Sequence, residues 1–257
     1  MALSNNNGST NPQANSQQIV KGVVVYSNRL PNETEPEGWL KVKVEPNDYA
    51  FLHENTKLTV LKEENGRVYY RVESDKLEVM GKTISLAKKN AIVCTHKKGP
   101  TQESAILKLK YDGKPVKAVS KFKGELLQQF ATLTVNGTEI KATLNSLWPP
   151  EFNFSPIVPG NHKIMAPDHS HNIAGPTDWY RKAFPPGVIV CNDIWFPIEL
   201  AGTRGNSSRY IHLGNLSEGC VTIYDVQKWN IVYDYLISHR TPNTKGLYIG
   251  ELIVEKI

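Results

Sequence analysis

"RYIHLGNLSEGCVTI", residues 209–223, sets two short strand-forming runs on either side of a connection rich in glycine, asparagine and serine. Aliphatic and aromatic residues bounded by such breakers read as β-strands joined by a tight turn. The same stretch carries His212 eight positions before Cys220. A strand, a tight connection and a returning segment place two such residues side by side. One segment therefore poses the question of fold and the question of chemistry together.

The pattern continues outward in both directions. Short alternating runs occupy 21–27, 39–45, 57–73 and 90–96, and the third contains Asn65-Gly66 between two alternating halves. Asn-Gly in that setting is the strongest local hairpin signal. Residues 19–100 therefore read as a small antiparallel β module, a candidate docking element, after a polar tail at 1–18 whose composition suits disorder. The polar stretch 96–104 reads as a linker. A second β series spans 104–257, with turns expected at Asp112-Gly113 and Asn136-Gly137 and a long loop at 168–187. Strand character resumes at 188–200 and 209–214. One amphipathic helix is expected in "DVQKWNIVYDYLISHR" (225–240), with Asp225 as its N-cap. The fold class is mainly β: a sandwich or barrel with one amphipathic helix, preceded by the small module.

Composition narrows the function classes. The net charge of +5 is mild and its lysines and arginines are scattered, without an arginine-rich stripe or aromatic RNA-binding signature, so no nucleic-acid partner is expected. No run of 18 apolar residues exists, so no membrane span is expected. The first 18 residues hold no charge and no apolar core, and do not read as a secretory signal. Three cysteines, 94, 191 and 220, without a CxxC pair argue against a disulfide framework or a structural zinc site. Cys94 and Cys191 lie in apolar runs and read as core thiols.

Cys220 differs. A thiol with a resting pKa of roughly 8.5 is only slightly ionised at neutral pH and needs a base. His212 is the candidate base, and the amides of Gly219 and Cys220 are candidate donors to an oxyanion. Glycine at 219 lets a substrate approach the backbone beside the sulfur.

"IHLGNLSEGCVTI" also resembles the catalytic signature of the L,D-transpeptidase (YkuD-type) domain, a His followed by Gly and then Ser-x-Gly-Cys, in a compact H-x-G-x-x-S-x-G-C form. "SPIVPGNHKI" (155–164), "IWFPIE" (194–199) and "YIGELIV" (248–254) are similar to flanking segments of that family, so the resemblance covers roughly 104–257. It implies a peptidoglycan-modifying cysteine acyltransferase or peptidase. Cys220 would be the nucleophile, His212 the general base, Ser217 a residue orienting the loop or the His, and Gly219 part of the oxyanion site. Cys220 would attack the carbonyl between an L-centre and a D-residue of a stem peptide. D-Ala would leave, and an amine or water would resolve the thioester.

Gly214, Glu218, Thr222, Arg209 and His171 are the expected substrate-binding positions. No cofactor and no metal is expected, although "PDHSH" groups Asp168, His169 and His171 into an acid–imidazole cluster. Two departures stand out: the connection between His and Ser is short, and Thr222 replaces the usual Arg or Asn. How a substrate carboxylate is held is then open among Arg209, Arg204 and Lys163. Trp148, Trp179, Tyr180 and Trp195 read as core or cleft-wall aromatics. The resemblance implies a cell-envelope, periplasmic or secreted protein, by an export route the N-terminus does not reveal. Its target is either the producer's own wall or a competitor's; an antibacterial effector of the second kind would have an immunity or delivery partner. The rival reading is a non-catalytic wall-binding module.

Overall fold

The computed structural model describes residues 20–29, 37–74, 78–121, 123–147, 155–171 and 177–257. The polar tail and Trp148 lie outside them. Of the described residues 47% are in strands and 12% in helices.

The first sheet is built from β1 (Val24–Ser27), β2 (Trp39–Val44), β3 (Asp48–His53), β4 (Lys57–Glu64), β5 (Arg67–Val72), β6 (Thr83–Ala87) and the short β7 (Thr95–His96), with α1 (Lys88–Cys94) before the last. Their order is β3-β2-β6-β5-β4-β1-β7, every pair antiparallel. The β4–β5 hairpin turns at Asn65 (φ 50°) and Gly66 (φ 71°), the two left-handed positions that a two-residue hairpin loop needs. The strand expected at 90–96 is instead α1 followed by two strand residues. Ala91 and Cys94, three apart, are buried while Ile92 and Val93 are exposed, which is a helical rather than an alternating period.

The second sheet holds β8 (Ala105–Tyr111), β9 (Val116–Ser120), β10 (Gly124–Val135), β11 (Thr138–Leu147), β12 (Gly160–Met165), β13 (Phe196–Glu199), β14 (Tyr210–Leu213), β15 (Glu218–Ile223) and β16 (Tyr248–Lys256). Two helices, α2 (Thr177–Lys182) and α3 (Trp229–Ile237), pack on it. Along β11-β15-β14-β13-β12-β16-β8-β10 each strand bonds the next, and β10 bonds β11 again. The ring closes into an eight-stranded barrel that leaves no open edge among those strands. β9 lies outside it, on the first half of β10.

Alternation carries the barrel wall: Ala105, Leu107, Leu109 and Tyr111 of β8 are buried and the residues between them exposed. Asp112-Gly113 does not close a hairpin. β8 and β9 each pair with β10 rather than with each other, because β10 is twelve residues long and accommodates both. Asn136-Gly137 does close one, β10–β11. Of the run 188–200, only 196–199 is a strand; Cys191 sits at φ 53°, which an extended chain does not allow. The loop expected at 168–187 contains α2. The helix expected from 225 starts as a 3₁₀ turn (226–228), and Asp225 caps nothing: its carboxylate accepts from the Lys141 amide at 3.0 Å, held by the neighbouring β11. Trp229, Val232, Tyr233 and Leu236 of α3 are buried in the barrel's cluster.

The module and the barrel are joined by more than the linker. Trp39 of β2 is 4% exposed, belongs to the barrel's hydrophobic cluster, and donates its indole N–H to the Asp193 carbonyl (3.1 Å). Thr101 in the linker bonds Ser238 and Arg240 at the end of α3. Trp39→Ala is therefore expected to lower unfolding stability by about 3–5 kcal/mol. A urea midpoint shared by probes in both halves of the wild type, and split in the variant, is the corresponding measurement.

Candidate active site

The segment 209–223 does not form a hairpin. β14 and β15 run parallel, with Ile211 beside Val221, His212 beside Thr222 and Leu213 beside Ile223. Parallel neighbours usually need a connection of about a dozen residues or more; here four residues, 214–217, make the return. Local bonds hold that return in place. The Ser217 amide donates to Ser146 Oγ (2.9 Å), Ser146 N–H donates to the Ser217 carbonyl (2.8 Å), and the Asn215 amide donates to Tyr180 OH (3.0 Å). Gln128 Nε2 reaches the Asn215 carbonyl as well. Gly214 (φ 153°) opens the return and Gly219 (φ 99°) is the second residue of β15, both in backbone regions that disfavour side chains.

β15 is bulged against β11. The register passes from Thr143–Thr222 to Asn145–Glu218, so Gly219, Cys220 and Val221 together oppose Leu144 alone. Bulges of this kind interrupt a ladder and re-aim side chains, and they concentrate beside active sites. Cys220 thus sits where the backbone leaves its regular pairing. It lies one pair before Ile211–Val221, on the sheet face it shares with Tyr210, His212 and Thr222.

His212 is 8% exposed and its ring is fixed on three sides. Nδ1 lies 2.9 Å from the Leu213 carbonyl, which only accepts, so Nδ1 carries the proton. Nε2 is then the free lone pair, and it accepts from the Thr222 hydroxyl at 3.1 Å. Trp195 stacks on the ring, centroids 4.0 Å apart and planes 12° apart. Burial, opposed by the bond to Leu213, pushes the imidazole down to about 4, so it is neutral at physiological pH. This is the protonation state a general base requires.

His212 and Cys220 are diagonal neighbours rather than directly opposed. Thr222 stands opposite His212, and Cys220 lies two residues before Thr222 on the same strand and face. Burial raises the Cys220 thiol above its usual value, countered by a backbone bond from Tyr210 and by the charge of Arg209. Cys220 therefore rests as a thiol, and its proton must leave as it attacks.

Arg209 lies against this centre. A Cβ built on Gly219 would stand 2.8 Å from Arg209 Nε and 2.8 Å from the Ser155 carbonyl. The guanidinium and the first residue of the 155–164 segment thus close over Gly219, next to the sulfur. Gly219→Ala is expected to cost about 1–3 kcal/mol, since it combines positive φ with contact against fixed backbone. The drop in urea midpoint measures this.

The other residues singled out from sequence divide clearly. Ser217 orients the loop, not the His: its hydroxyl donates to the Cys220 carbonyl at 2.8 Å. Glu218 is exposed at the start of β15. Thr222 is fully buried with its hydroxyl on His212 Nε2, and Gly214 is buried against its methyl group. His171 is 5% exposed and stacks on the face of Trp195 away from His212 (4.3 Å, 4°). Of the three cations considered for a carboxylate, Lys163 pairs with Glu199 (3.0 Å) and Arg204 is exposed, which leaves Arg209 beside Cys220. Cys94 and Cys191 are buried. Ser146, Gln128, the hydrogen bond of Tyr180 and the stacking role of Trp195 escape sequence reading, because these residues reach the site from segments distant in the chain.

No family model, no curated protein and no solved structure matches this chain. Among the described residues no helix is long and apolar enough to cross a membrane.

Proposed function

We propose that the chain is a cysteine acyltransferase or peptidase of the L,D-transpeptidase type, acting on peptidoglycan stem peptides. The observation that carries this reading is that Cys220, on a bulge, and a neutral His212 lie diagonally on the same face of two adjacent parallel strands. The sequence resemblance supplies the substrate class.

In the first half-reaction Cys220 Sγ bonds the carbonyl carbon between the L-centre and the terminal D-Ala. The thiol proton passes to His212 Nε2. Thr222 suits this transfer, because its hydroxyl donates to the neutral ring and accepts from the protonated one. The amides of Gly219 and Cys220 receive the oxyanion. The C–N bond then breaks, and D-Ala leaves with the proton from His212. In the second half-reaction an amine or water, deprotonated by His212, attacks the thioester and restores the thiol. Arg209 is the cation placed to hold the stem's terminal carboxylate. An amine acceptor gives transpeptidation and water gives carboxypeptidation.

Such a protein acts in the cell envelope or periplasm or after secretion, on its producer's wall or, as a delivered effector with an immunity partner, on a competitor's. Toxicity confined to periplasmic targeting separates the second role from the first.

Two observations favour a non-catalytic wall-binding module: Thr222 already occupies His212 Nε2, and burial disfavours the Cys220 thiolate. Purified muropeptides separate the readings. Catalysis predicts loss of D-Ala from tetrapeptide stems by the wild type and none by Cys220→Ala. Unchanged stems, with sacculus binding that survives Cys220→Ala, favour the binding module.

A further inference from the structure

The loop after β12 holds a cluster that the chemistry at Cys220 does not use. Asp168 Oδ1, His169 Nδ1 and His171 Nε2 approach one another closely, with one ligand atom from each residue all lying within 4.8 Å. His169 Nδ1 is 3.0 Å and His171 Nε2 3.8 Å from Asp168 Oδ1. The second distance is too long for a hydrogen bond. His171 is 5% exposed, and its Nε2, aimed into the cluster, has no hydrogen-bond partner among the described residues. A buried ring nitrogen without a hydrogen-bond partner destabilises the fold. A cation accepting its lone pair removes that cost.

We propose that Asp168, His169 and His171 bind one divalent transition-metal ion of the zinc type. The donor set, two imidazoles and a carboxylate, is of the kind zinc takes. Bonds of about 2.0–2.1 Å in tetrahedral geometry set ligand atoms roughly 3.3 Å apart; the separations to Asp168 Oδ1 are 3.0 and 3.8 Å and all three ligand atoms lie within 4.8 Å of one another, so side-chain rotations that draw the two imidazoles together complete the site.

The surroundings fix the ligands as outer-shell groups do in metal centres. Asn206 Nδ2 holds the second oxygen of Asp168 at 3.0 Å and also donates to Tyr210 OH at 2.7 Å. Trp195 backs the His171 ring, and Tyr210 packs edge-on against it at 4.7 Å. His169 is held by its own amide on Asp168 Oδ1 (2.9 Å) and by its ring over His171 (4.2 Å).

Three protein ligands leave a coordination position open. The outer side of the loop, Asp168 to Ser170, faces a groove shared with the N-terminal module, lined there by Asp48, Tyr49, Phe51, Glu78 and Lys82. The inner side begins a column of rings, His171, Trp195 and His212, that ends at the proposed base. The ion touches no reacting atom. It clamps the loop to β14 and fixes the plate on which His212 rests.

The test is a titration of the tag-free, full-length, chelator-treated protein with Co²⁺, followed by visible ligand-field absorption, and then displacement by Zn²⁺. One equivalent is expected to bind, with no sulfur-to-cobalt charge-transfer band. Changing even an outer-shell partner of a metal typically costs about 10–100-fold in affinity, so His169→Ala is expected to weaken binding at least tenfold. The His169 side chain is 60% exposed and its removal leaves the core intact. Asp168→Asn is expected to act alike, and Cys220→Ala to leave binding unchanged. Absence of binding at micromolar Co²⁺, or affinity unaffected by His169→Ala and Asp168→Asn, or binding lost with Cys220→Ala, overturns the proposal.

Discussion

His212→Gln is expected to lower turnover on tetrapeptide stems by about a hundred- to ten-thousand-fold, the range spanned by general-base catalysis. The reasoning starts from the resting state of the pair. Burial keeps the Cys220 thiol protonated and holds His212 neutral, so there is no preformed thiolate–imidazolium pair to attack unaided. The proton must be taken during attack, and His212 Nε2 is the basic nitrogen on that face of β14 and β15. Glutamine fills a similar volume and keeps a polar group for the Thr222 hydroxyl, so the fold is expected to survive, as an unchanged urea midpoint near neutral pH will show. The same physics sets the acid limb of the wild-type rate profile, near about 4 rather than at the ordinary histidine value of about 6.5. A loss smaller than tenfold in His212→Gln assigns the proton to another group.

The second large effect is acid destabilisation. Burial pushes His212 down to about 4 and, aided by the nearby Arg240 charge, His53 down to about 3. Both fold as neutral rings. Below about pH 6.5 the unfolded chain takes up protons that the folded chain refuses, so stability falls as pH falls. The loss continues until the folded-state values are reached, where the native protein also protonates. At 1.36 kcal/mol per unit, each ring costs about 2 kcal/mol between about pH 7 and pH 5, and the two together about 4 kcal/mol. His53→Gln is expected to remove about half of that pH dependence. Urea titrations at the two pH values measure it, and a midpoint unchanged down to pH 5 contradicts the burial assigned to these rings.

Much of this was legible in the residues, and the failures have physical causes. Strand alternation marks β4, β5, β8, β10 and β11, and Asn-Gly marks the turns at 65–66 and 136–137, because a left-handed pair of φ values favours those residues. The strand sense of 209–223 was not legible. A return of four residues reads as a hairpin until Ser146, Gln128 and Tyr180, from β11, β10 and α2, are seen to pin it into a parallel pair. That change of sense puts Thr222, rather than Cys220, opposite His212. It makes Thr222, a departure from the pattern this segment resembles, the residue that orients the proposed base. Asp225 looked like a cap because Asp favours that position, but the backbone of β11 offered it a better partner. The ring column through Trp195 has no sequence signal, since His171, Trp195 and His212 are 24 and 17 positions apart and come from separate elements.

The central claim is that Cys220 forms a covalent thioester. Intact-protein mass spectrometry after acid quench of the protein mixed with a tetrapeptide muropeptide tests it most directly. The wild type is expected to gain the mass of the muropeptide less that of free D-Ala, mapped to Cys220, and Cys220→Ala to gain nothing. A wild-type mass that stays unshifted while the protein is folded and saturated with muropeptide, or an adduct that persists in Cys220→Ala, contradicts it.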